Sequence, residues 1–234
     1  MRPNTTTTRI FALVAAAACA VGLSACRPDV PVPEPTDGGG TATAAPSTGA
    51  VAGARDIEPI TFNDEAIGLT ETCSQIITDF KAPSYQKGDK ADTTIYLLHC
   101  TLDYSGDLSY DVDTSGSPRL IDSNDDTFHQ GYSWNESLVK DDMEAAGLKS
   151  INIVEDHGMN HIDGWISFTV SGKGGKANPL PEDAITLVYE REEFLRTSNG
   201  NGFIRTGKKS SPRPDNDTRR TYEAYSARSK VTIK

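Results

Sequence analysis

The sequence predicts an all-β domain, a two-sheet antiparallel β-sandwich with one short inserted helix, and three observations carry that expectation. Apolar and polar residues alternate with period two in several short runs, as they do in strands with one buried face. Turn-forming residues separate those runs at short intervals, which suits a sandwich. A single segment has helical spacing instead, and no internal repeat is present.

Taken in order, "EPITF" and "SQIITDF" are the first short strand candidates. In "TTIYLLHCTLDY", Tyr96, Leu98, Cys100, Leu102 and Tyr104 alternate with neighbours that end in His99, Thr101 and Asp103, so Cys100 points inward. "RLIDS" follows as a short strand. "NESLVKDDMEAAGLK" supplies the helix, with Asn135 as N-cap, Leu138, Val139 and Met143 on one side, and Gly147 as the stop. "WISFTV" then sets Ile166, Phe168 and Val170 on one face, Gly172, Gly174 and Gly175 mark a loop, and "ITLVYE" repeats the strand device with Ile185, Leu187 and Tyr189.

Ahead of this domain, Arg2 and Arg9 precede an uncharged run from Ile10 to Ala25. That run has roughly the length of a signal-peptide core and is short for a membrane span of about 20 residues. The four prolines of "RPDVPVPEP" prevent the helix from continuing. Leu23, Ser24, Ala25 and Cys26 resemble the lipobox of bacterial lipoproteins. The resemblance implies that residues 1–25 are a signal peptide and that Cys26 carries diacylglycerol, leaving the protein lipid-anchored on the extracytoplasmic face of the cell membrane. Residues 26–55 are dense in Pro, Gly, Ala and Thr and are expected to be a disordered tether reaching roughly 90 Å. Residues 56–234 form the sandwich domain with a basic C-terminal extension.

Cleavage at this site would remove two of 23 basic residues and none of 33 acidic ones, so the mature chain carries a formal charge of −12. That excludes nucleic acid as the expected partner. The charge is uneven: residues 205–234 hold nine Lys or Arg against three acidic residues, net +6, leaving −18 for residues 26–204. Of the four cysteines, Cys19 leaves with the signal and Cys26 is taken by lipid. Cys73 and Cys100 remain, and in an oxidising compartment one bridge between them is expected.

The succession "APSYQKGDKADTTIYLLHCTLDYSGD", "LIDSNDDTFHQ", "GWISFTV" and "ITLVYERE" resembles the telokin-like, immunoglobulin-fold domain of bacterial surface lipoproteins, over about residues 65–191. The resemblance implies an immunoglobulin-like sandwich and a surface location, and it brings no catalytic residues. The helix and the basic tail depart from the family pattern.

Several local patterns invite chemistry. Asp111, Asp113, Ser115 and Gly116, with Asp122 twelve positions along, have the spacing of an oxygen-rich calcium loop. Pro118 and Arg119 fall at the eighth and ninth positions and no flanking helices are evident, so solvated loop carboxylates are the expectation and calcium the alternative. His157 and His161 lie four apart near Glu155, Asp156 and Asp163, which suits zinc on a helix, but Gly158 and Gly164 indicate a polar turn. "GYSWN" resembles a nucleophile elbow in which Asn135 replaces the last glycine, and "SGKGGK" lacks phosphate-loop spacing. The sequons at Asn135 and Asn216 are discounted in a bacterial lipoprotein.

In the tail, Arg219, Arg220, Arg228 and Lys230 interleave with Tyr222 and Tyr225, a composition suited to phosphorylated polymers or sugars. The competing expectation is that the tail packs on its own acidic body, with "KVTIK" adding an edge strand. The functional expectation is a non-catalytic binding or scaffolding module of the bacterial envelope. It needs no cofactor, and its partners are anionic cell-wall polymers or envelope proteins. The alternatives are an enzyme acting on envelope material and a calcium-dependent binding domain.

Overall fold

The computed structural model describes residues 51–134, 137–196 and 220–234, with residues 203–205 as backbone only. The signal segment, Cys26, nearly all of the tether, Asn135, Asn216 and Arg219 lie outside the described residues.

The first strand, β1 (Arg55–Asp64), places Ile57, Ile60, Phe62 and Asp64 inward and leaves their neighbours exposed. It pairs antiparallel with β2 (Leu69–Ile77), which pairs with β3 (Thr94–Tyr104). On its other side β3 pairs with β6 (His161–Val170), which touches β5 (Gln130–Tyr132). The order continues through β4 (Arg119–Asp122) and β7 (Ile185–Arg191) to β11 (Tyr225–Lys230), giving an eight-stranded antiparallel sheet. Its two outer strands meet. Just past β11, Ile233 bridges Ile57, the Glu58 N–H donates to the Thr232 carbonyl at 2.8 Å, and the Lys234 N–H to the Asp56 carbonyl at 3.0 Å. The sheet therefore wraps around one core, and the start of β1 is joined to the segment after β11. A separate three-stranded sheet joins β8 (Phe194–Arg196), β9 (Phe203–Arg205) and β10 (Arg220–Tyr222).

The alternation in β3 is that expected, with Tyr96, Leu98, Cys100, Leu102 and Tyr104 in the enclosed core. Its opposite face is buried as well in the first half of the strand. Ile95 and Leu97 pack there with Trp165, Ile77 and Phe80 under the helix α1 (Lys140–Ala145), which contributes Met143, flanked by Val139 and Leu148. The helix is shorter than its sequence pattern. Val139 is its N-cap, Leu138 stays 45% exposed, and the chain leaves the helix through Gly147 at φ +73°. Val51 and Ala54, assigned by composition to the tether, pack against this outer cluster, and β1 starts at Arg55.

Candidate functional site

The acidic, aromatic interior at one end of the sheet holds the polar side chains that the core must accommodate. Cys73 and Cys100 lie directly opposite each other on β2 and β3 and are joined by a disulfide. Two residues before Cys73, Glu71 shares its inward face with Leu69 and is 1% exposed. Its carboxyl Oε1 lies 3.8 Å from Cys73 Sγ, a half-cystine sulfur with no proton to donate. Burial alone pushes the Glu71 carboxyl up to about 7. The phenols of Tyr104, Tyr110 and Tyr189 are raised too, by burial first and by the Glu71 charge as a further cause.

Beside this group, Asp64 and Arg191 form a bidentate pair with Nε–Oδ2 2.6 Å and Nη2–Oδ1 3.2 Å. Arg191 also donates to the carbonyls of Glu192 and Glu223, so its hydrogen-bonding capacity is largely satisfied. Glu71 has no comparable partner among the described residues. It lines a cavity of about 30 Å³ shared with Leu102, Tyr110, Ile151, Ile166 and Trp134. Trp134 stands at its rim, 59% exposed.

The spaced patterns noted in the sequence are dispersed. Asp111 faces His157 at 2.9 Å, whereas Asp122, at the end of β4, takes His129 Nδ1 at 3.1 Å and the Asn124 N–H at 2.9 Å. Burial raises the Asp122 carboxyl, but Asn124 and His129 outweigh it and hold the group below its ordinary value. Ser115 donates to the Val112 carbonyl. Among the described residues these carboxylates form no cluster, Asp111 and Asp122 each standing beside a different histidine.

His157 and His161 are likewise apart in their partners. His161 begins β6 instead of lying in a turn, and pairs with Asp103 of β3 at 2.6 Å. Each of the four histidines stands beside a different aspartate, His99 being next to Asp163 at 3.4 Å. Ser133, the serine of "GYSWN", lies just past β5 and donates to the Pro118 carbonyl at 2.7 Å, and the next element, α1, starts at Lys140. The one group of three potential metal ligands among the described residues is Glu71, Cys73 and Cys100. Its sulfurs are spent on the disulfide, so they offer no thiolate.

In the tail, Tyr222 is 2% exposed and stacks on Phe194 with ring centroids 4.8 Å apart, so its ring face is not open to a ligand. Tyr225 packs edge-on against Tyr189. Arg220 lies over the Tyr222 ring, Arg228 pairs with Asp126 at 3.4 Å, and Arg228 and Lys230 stand on the exposed face of β11. The sequence reasoning missed Glu71, although its period-two spacing from Leu69 and Cys73 was a sign that a carboxylate faces inward. Comparison of the chain with family models, curated proteins and solved structures found no match in any of the three.

Proposed function

We propose that this chain is a lipid-anchored, non-catalytic binding or scaffolding module on the outer face of a bacterial cell membrane. The observation that carries this reading is the Cys73–Cys100 disulfide of the folded domain, set behind an apolar run that ends in Leu23-Ser24-Ala25-Cys26. A structural disulfide belongs to an oxidising compartment. The cysteine at 26 supplies the thiol for lipid, and the Pro/Gly-rich stretch after it supplies reach. The telokin-like, immunoglobulin-fold resemblance points to the same surface location.

The partner surface in this reading is charged. Arg228 and Lys230 on β11, together with Arg220, present cations on an otherwise acidic protein, and anionic wall polymers are complementary to them. Such surface pairs are individually weak, roughly 0 to 1 kcal/mol, and are screened beyond about 8 Å at physiological salt. In cells given a fatty-acid probe, the protein should be labelled, and Cys26→Ser should abolish the label and release the protein to the medium. Retention on purified wall material should fall steeply with salt and fall again when Arg219, Arg220, Arg228 and Lys230 are all alanine. Labelling that survives Cys26→Ser defeats the anchor, and retention insensitive to both salt and substitution defeats the charged surface.

A further inference from the structure

We propose that the cavity behind Trp134 binds the ammonium head of a small primary amine, with Glu71 as its counter-ion. This goes beyond the anchoring reading and stands independently of it. The first ground is an unmatched buried acid. Glu71 is 1% exposed, and among the described residues its carboxyl meets no hydrogen-bond donor and no cation. A buried carboxylate without a partner is costly, and an entering cation removes that cost. The neighbouring Asp64 is already neutralised by Arg191, so Glu71 is the one that attracts a ligand.

The second ground is the polarity of the walls. Ser115 and Ser133 both line the cavity, and both donate their hydroxyl protons to backbone carbonyls, of Val112 at 3.3 Å and Pro118 at 2.7 Å. Each is left with lone pairs. The Tyr110 phenol lines it as well. Among the described residues no lysine, arginine or histidine lines the space. The cavity therefore offers one acid, hydroxyl oxygens and two aromatic rings with no cationic side chain among the described residues, which suits a compact donor with three protons.

Size and composition select among cations. About 30 Å³ holds one or two water-sized groups, enough for an ammonium and too little for a guanidinium or a quaternary head. Leu102, Ile151 and Ile166 supply apolar wall where a hard metal ion would need six or more oxygens. The alkyl part of the amine would leave past the exposed Trp134 indole.

The test is a titration of the purified full chain with methylammonium chloride at about pH 8, against potassium chloride and tetramethylammonium chloride at equal ionic strength. Thermal midpoint and Trp134 indole NMR shift are the readouts. Methylammonium should give a saturable rise in the midpoint and a saturable indole shift that neither control gives. Glu71→Gln should abolish both, and Trp134→Ala, an exposed site that folding does not need, should weaken binding about fivefold by midpoint. A response no different from potassium chloride overturns the proposal, as does a saturable response retained in Glu71→Gln. If Glu71→Gln does not fold, an unchanged affinity in Trp134→Ala overturns it.

Discussion

Asp64 and Arg191, 127 positions apart in sequence, face each other as a bidentate ion pair buried at the end of the closed sheet, each side chain 1% exposed. The pair ties the first strand to the seventh, and through the Glu223 carbonyl to the segment that leads into β11. Removing one member strands the other charge in the core. Arg191→Leu is therefore expected to cost about 3–5 kcal/mol in denaturant unfolding, and Asp64→Leu combined with Arg191→Leu should recover most of it. A double variant as unstable as the sum of the two singles would show that the two side chains do not act as a pair.

The disulfide acts on the neighbouring strands. With its cysteines 27 positions apart, it restricts the unfolded chain by about 3 kcal/mol. Cys73→Ala combined with Cys100→Ala should lower stability by about that amount. Alkylation of the native protein followed by intact-mass measurement should find both thiols blocked until a reductant is added.

Gly116 sits at φ +66°, where an added Cβ would fall 2.7 Å from Tyr189 Cζ and 3.0 Å from the Glu190 carbonyl. Tyr189 is fully buried and cannot retreat. Gly116→Ala combines a left-handed backbone with a fixed obstacle, so a loss of about 2–4 kcal/mol is expected by thermal or denaturant unfolding. Gly147→Ala, also at positive φ but with nothing within 4 Å, should cost only about 1 kcal/mol.

How much of this was legible depends on whether a property is local. The strand alternation assigned Cys100 and its neighbours to the inner face correctly, since period two needs no knowledge of the partner strand. Cysteine counting reached Cys73–Cys100 for a similar reason, few pairings being open. The glycine of the calcium-like spacing does occupy a left-handed turn, where its backbone closely approaches Tyr189. The meeting of Asp64 with Arg191 was not legible: parity places both inward, yet only closure of the sheet through Ile57 and Ile233 brings β1 and β7 to one core. The helix was read too long because Leu138 has apolar character without a surface to cover it.

The pH dependence of stability should carry the signature of Glu71. Its carboxyl titrates at about 7 in the folded protein against an ordinary value of 4.5, because burial penalises the charged form. The groups around it do not offset this. Tyr104, Tyr110 and Tyr189 stay neutral over the relevant range, and the Arg191 guanidinium is committed to Asp64. A folded value above the unfolded one means that folding favours the protonated acid. The favourable contribution is complete below about pH 4.5 and is lost as pH rises through about 7. Glu71→Gln keeps the shape and removes the charge, so the variant should match the parent near about pH 4.5 and exceed it by as much as about 3 kcal/mol above about pH 8. Denaturant unfolding of both proteins across that range, in buffers free of amines, measures the difference. A constant offset between the two curves would mean that Glu71 is already paired in the folded protein.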